Sequence, residues 1–142
     1  MPNRQNKAMP TILYGAGDKH GGYTMCYRFT KNPAYLQQAR HIADFFFGLP
    51  NLPEDFIPYW DMKAPGIPNA PRDASAAAIM ASALYELQTY VSAEDSNRYQ
   101  GIADKIVDSL NKHYQAEPET NYGFLLLHST GHHPGGDEID VP

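Results

Sequence analysis

YLQQARHIAD at residues 35–44 and YQGIADKIVD at residues 99–108 share one spaced pattern: Tyr35, Ala39, Ile42 and Asp44 recur as Tyr99, Ala103, Ile106 and Asp108. Each pair stands 64 positions apart, from 35 to 99 at the first tyrosine. Steps of three and four between apolar positions mark one stripe of an amphipathic helix. A helix of this kind, preceded each time by another helix and a tight turn, makes a helical hairpin, and a lone hairpin cannot cover its own apolar face. Matching hairpins therefore point to an α-solenoid or an α/α toroid, in which neighbours stack against one another. The spacing exceeds that of the common short helical repeats, and the extra length falls in a proline-rich connection. That placement favours a toroid whose loops are elaborated at one end.

Working outward, PAYLQQARHIADFFFG at 33–48 opens on a proline suited to a first helical turn and closes on Gly48. Leu36, Ala39, Ile42, Ala43 and Phe46 form its buried stripe. Upstream, Tyr23, Met25, Cys26, Tyr27 and Phe29 predict a helix of two to three turns that Lys31-Asn32-Pro33 ends. Residues 1–20 hold Pro2, Pro10, Gly15 and Gly17 and are expected to be poorly ordered, with the pattern settling at Gly21. Downstream, LPNLPEDFIPYWDMKAPGIPNAPR at 49–72 carries Pro50, Pro53, Pro58, Pro65, Pro68 and Pro71, which forbid regular helix. A connection of that length is either a site-forming loop or a stiff spacer. DASAAAIMASALYELQTY then runs apolar on nearly all sides from Asp73, as a buried inner helix would. Ser92–Ser96 reads as a turn, and 97–115 as an outer amphipathic helix.

Composition narrows the class. The chain has 142 residues, 42% hydrophobic, with 16 acids against 11 bases and a net charge of -5. Without a basic face it has no electrostatic drive toward nucleic acid. No stretch approaches the ~18 apolar residues of a membrane span, and MPNRQNKAMPTILYG lacks a secretory signal's apolar core, so a cytoplasmic location is expected. Cys26, the one cysteine, excludes an intrachain disulfide and reads as a small core residue.

Candidate site residues cluster around the loops. Trp60 and Tyr59 suit a stacking platform for a ring-shaped ligand or a place in the core. Arg72 can grip a carboxylate through two parallel hydrogen bonds, or can fix loop to helix beside Asp73. The closing stretch LLLHSTGHHPGGDEIDVP, residues 125–142, pairs three histidines with acids. No regular element converges His128, His132 and His133 as a zinc site requires, so no metal and no cofactor are expected.

Three segments in order, YTMCYRFTKNPAYLQQA, PEDFIPYWDMKAPGIPNAPRDASAAAIMASALYEL and FLLLHSTGHHPGGDEIDVP, closely resemble the C-terminal part of glycoside hydrolase family 88, the unsaturated glucuronyl hydrolases. The resemblance spans about residues 21–142, which it implies to be a partial α/α toroid domain; residues 1–20 are then a non-homologous start. It implies an all-α fragment of an (α/α)6 toroid of about two hairpins, with long loops and a short apolar strand-like segment at FLLL. It also implies an enzyme that removes a 4,5-unsaturated uronic acid from lyase-generated glycosaminoglycan oligosaccharides by hydrating the double bond. Substrate contacts would fall at Trp60, Arg72, Ser129 and His132.

Departures from the family pattern matter equally. Its two catalytic aspartates lie in segments with no counterpart here, and MPTILYGAGDKHG occupies the place of a WARGQAW-like stretch. Family chains also continue past DVP. The expectation is therefore a portion with no catalytic residue of its own, inactive alone and prone to self-association through exposed apolar helix faces. The alternative is a helical-repeat module that binds protein or sugar.

Overall fold

The structure, a computed structural model, describes residues 11–132 and 137–139, with side chains over 21–130. Among the described residues there are four α-helices: α1 (Thr11–Thr30), α2 (Pro33–Phe47), α3 (Ala74–Leu87) and α4 (Ala93–Ser109). A short antiparallel ladder follows, of β1 (Thr130–His132) and β2 (Asp137–Ile139), with Thr130 opposite Ile139. No helix among the described residues is long and apolar enough to cross a membrane.

Local chemistry sets the helix ends. Asn32 caps α2 by accepting the Ala34 amide at 3.0 Å, and Pro33 occupies the first turn. At the other end the Gly48 amide returns to Asp44, where an added Cβ would lie 3.0 Å from the Asp44 carbonyl oxygen. Two boundaries differ from the sequence expectation. Ser92 is a cap rather than part of a turn: its Oγ accepts the Asp95 amide at 3.3 Å, so α4 starts at Ala93. Helical backbone in α1 begins at Thr11, not near Gly21. Each glycine costs a helix about 1 kcal/mol but leaves its hydrogen bonds intact, whereas proline removes one; with Pro10 just before it, the run from Thr11 can stay helical.

The helices pair as α1 with α2 and α3 with α4, and the inner helices α1 and α3 lie side by side. A Cβ at Gly21 would meet Ala83 Cβ at 3.9 Å, which shows how near those two backbones run. The main core joins Ala39 and Ala43 of α2, Ala77, Ala81, Leu84 and Leu87 of α3, and Tyr99, Ala103 and Ile106 of α4. The repeated decapeptides thus form the two outer helices, and ion pairs tie them together. Arg40 reaches Asp95 at 2.8 Å, Arg98 reaches Asp44 at 2.6 Å, and the Tyr99 hydroxyl donates to the same Asp44 at 3.1 Å. Tyr99 is fully buried while Tyr35 is only half-buried, so the two copies occupy equivalent helices in unequal surroundings.

The proline-rich connection is no loose spacer. Tyr59, Met62, Ala64 and Ala70 are buried with Phe46 and Met80 in a second core, against which Trp60 packs half-buried. A left-handed Gly66 turns the chain, its carbonyl accepting the Asn69 amide at 2.7 Å.

The strand-like segment FLLL at 124–127 is extended but buries only part of its apolar surface. It makes a single bridge, Leu126 with Gln115, flanked by the Ala116 amide to Leu125 and the Leu127 amide to the Tyr114 carbonyl. Extended backbone alternates its side chains. Leu126 therefore packs on the core while Leu125 stands 68% exposed.

Candidate functional site

The N-terminal end of α3 gathers both long loops. Asp73 is its cap, 1% exposed, and its Oδ1 accepts the Ala76 amide at 3.1 Å and the Ser75 hydroxyl at 2.6 Å. From one side comes the proline-rich loop: Tyr59 bridges Arg72, the Trp60 amide donates to Pro71 at 3.0 Å, and the Asp73 amide donates to Pro58 at 2.9 Å. From the other comes the tail, where the Ala74 amide donates to the His128 carbonyl at 3.0 Å and Thr130 Oγ1 donates to the Arg72 carbonyl at 2.8 Å.

Arg72 is held on three sides. Its Nη2 pairs with Asp55 Oδ1, its Nε donates to the Ile57 carbonyl at 2.9 Å, and its guanidinium lies 5.0 Å from the centre of the Tyr59 ring. Asp55 accepts further from the Ile57 amide at 3.1 Å and, through Oδ2, from the Tyr114 hydroxyl at 3.0 Å. Burial, with the Asp55 charge adding to it, pushes the Tyr114 hydroxyl up to about 12 despite the opposing Arg72 cation. The Tyr114 ring meets His128 edge-on at 5.7 Å. A continuous chain of contacts thus runs from the proline-rich loop through Asp55 and Tyr114 to the tail.

Of the sequence-derived candidates, Trp60 and Arg72 adjoin this end of the helix through the Trp60 amide to Pro71, and Ser129 lies between His128 and Thr130, which bond Ala74 and Arg72. Ser129 is 8% exposed and engaged within the fold, as is Trp60. The backbone of His132 follows in β1, but its side chain lies outside the described residues, as does His133. Sequence reasoning missed Asp55 and Tyr114, which organise the site. The signal was faint: an acid inside a proline-rich loop, and a tyrosine just past an amphipathic stripe. Tyr114 reaches Asp55 from a π-helical turn, Leu110–Tyr114, that closes α4, a local widening of the kind frequent at functional sites.

Chemically, the arrangement offers an arginine braced by a carboxylate, aromatic surface beside it and a saturated helix start. Among the described residues at this end of the helix, Asp73 Oδ1 already accepts two donors and Asp55 serves three.

No protein-family model matches the chain. The unsaturated glucuronyl hydrolase of Formosa agariphila is 48% identical over 122 residues, which are 85% of this chain and 30% of that protein. Among solved structures, an unsaturated glucuronyl hydrolase specific for heparin superposes with a TM-score of 0.85 at 40% identity, over 92% of this chain and 35% of that one. A mutant unsaturated glucuronyl hydrolase from Streptococcus agalactiae, complexed with dGlcA-GalNAc6S, superposes with a TM-score of 0.80 at 25% identity, over 90% of this chain and 34% of its own. Those neighbours are (α/α)6 toroids, and the stacked hairpins here form about a third of such a ring. The chain thus spans about a third of the length of the proteins it matches, and it belongs to glycoside hydrolase family 88, the unsaturated glucuronyl hydrolases.

Proposed function

We propose that this chain supplies one sector of the saccharide pocket of an unsaturated glucuronyl hydrolase and does not complete the reaction alone. Its partner would be an oligosaccharide ending in a 4,5-unsaturated uronic acid. Trp60, Arg72, Ser129 and His132 would bind it at the rim formed where the two loops meet. One observation carries the reading: the substrate-side loops are hydrogen-bonded to each other's anchor at the start of α3, through Ala74 to His128 and Thr130 to Arg72.

Hydrating the double bond requires a carboxylic acid that protonates the alkene carbon and positions a water. Asp73 is unsuited to that task, since its Oδ1 holds the cap. The acid would belong to hairpins outside this sector.

The test is direct. Incubated with an unsaturated chondroitin disaccharide, the chain should leave the ultraviolet absorbance of the double bond unchanged, while saturation-transfer NMR detects the sugar and Trp60→Ala diminishes the signal. Loss of the absorbance that Asp73→Asn abolishes would refute the reading and make Asp73 a catalytic acid.

A further inference from the structure

Asp55 and Ile57 grip one guanidinium from positions two apart: Arg72 Nη2 pairs with the Asp55 carboxylate, and Arg72 Nε donates to the Ile57 carbonyl at 2.9 Å. Extended backbone would set two such positions roughly 6–7 Å apart along the chain. Between them stands Phe56 at φ 60°, in the left-handed region, an outlier for a bulky side chain. The reversal lets Asp55 Oδ1 accept the Ile57 amide at 3.1 Å, while the Phe56 amide donates back to the Pro53 carbonyl at 2.9 Å. The turn closes on Arg72 only while Phe56 stays left-handed.

Its ring is what holds Phe56 there. The ring is half-buried against the main core and meets Phe47, the last residue of α2, edge-on at 5.7 Å. From α4, Lys105 sets its ammonium 5.0 Å from the ring centre. Contacts from both outer helices thus offset a backbone conformation that an unheld phenylalanine disfavours. We propose that Phe56 is a positioning residue: its ring, seated between α2 and α4, keeps the left-handed turn that aims Asp55 and Ile57 at Arg72 and so fixes where Arg72 receives a substrate carboxylate. The saccharide role of Arg72 rests on the functional reading above; the placement of its guanidinium does not.

The experiment compares substitutions that all delete the ring but differ in their tolerance of a left-handed backbone. Glycine and asparagine adopt it readily, and alanine does not. In the isotope-labelled full chain, the NMR signal of the Arg72 Nε–H, assigned by its absence in Arg72→Lys, reports the bond to Ile57. Its exchange with solvent should quicken about tenfold or more in Phe56→Ala, and Phe56→Gly and Phe56→Asn should restore most of the protection. Packing alone demands the reverse order, since glycine removes the half-buried side chain entirely. Helical circular dichroism matching the unmodified chain shows that each variant keeps its fold. Should Phe56→Ala unfold, Phe56→Leu, which keeps apolar bulk, is compared with Phe56→Asn, and the same order is expected. Equal exchange in all the variants, or slower exchange in alanine or leucine than in glycine and asparagine, overturns the inference. With an unsaturated chondroitin disaccharide as the probe, saturation transfer should follow the same order as the Arg72 signal. The expected order at Arg72 without saturation transfer to any form, the unmodified chain included, upholds the positioning role and counts instead against the functional reading.

Discussion

Replacing Asp55 with alanine removes the acceptor that joins the proline-rich loop to Arg72 and Tyr114. Three donors lose a partner: the Ile57 amide at 3.1 Å, the Arg72 guanidinium, and the Tyr114 hydroxyl at 3.0 Å. Hydrogen bonds to a charged group are worth about 1.5–3 kcal/mol each, and a buried donor left unsatisfied costs about 1–3 kcal/mol. Simple addition overstates the loss, since the Asp55 and Arg72 side chains are 31% and 22% exposed and water can partly replace the carboxylate. Tyr114, 7% exposed, has less access to water, and its unsatisfied hydroxyl dominates. The expected loss is about 3 kcal/mol, equivalent to a fall in Tm of roughly 6–12 °C for a chain of this size. Urea unfolding followed by circular dichroism measures it. The decisive comparison is a cycle with Tyr114→Phe, which should cost about 1 kcal/mol alone but recover about 1–2 kcal/mol once Asp55 is alanine, because the unsatisfied hydroxyl is then removed. A loss below about 1 kcal/mol for Asp55→Ala, or strict additivity with Tyr114→Phe, would refute the view that this network fixes the rim.

Further outcomes follow from neighbouring contacts. Because the folded pKa of Tyr114 is raised from 10.0 to about 12, the stability it lends is complete below pH 10 and is lost as pH rises through 12. Tyr99, raised first by burial and then by Asp44, adds to the loss in the same direction, so Tyr114→Phe should shrink the alkaline destabilisation without abolishing it, as pH-dependent melting would show. Asp73→Ala should cost about 1–2 kcal/mol through loss of the cap, while Asp73→Asn, which keeps an acceptor for the Ala76 amide, should cost much less in the same urea titration. Leu84→Ala empties a fully buried site between the hairpins and should cost about 2–5 kcal/mol. Tyr99→Phe, which removes only the hydroxyl bonded to Asp44, should cost about 1 kcal/mol.

The sequence by itself determined the helical class and its organisation. Spaced Tyr, Ala, Ile and Asp residues repeat, and proline and glycine mark the stops. Such signals are local: a stripe at steps of three and four, or a ring that fixes φ, acts within one or two turns regardless of what lies beyond. The same locality explains the misplaced boundaries at Thr11 and Ala93, where glycine tolerance and a serine cap outweighed the visible period. Sequence also singled out Trp60, Arg72 and Ser129 by type and by family likeness. Only the tertiary structure decided how they are held. Asp55 stands 17 residues before Arg72 and 59 before Tyr114, so no periodicity links them; they meet because the two cores press the proline-rich loop against the end of α4. The side of FLLL that is buried was likewise settled by one bridge to Gln115, since four consecutive apolar residues carry no alternation of their own. A hydrogen bond depends on distance in space rather than along the chain, and stacking the hairpins is what sets that distance.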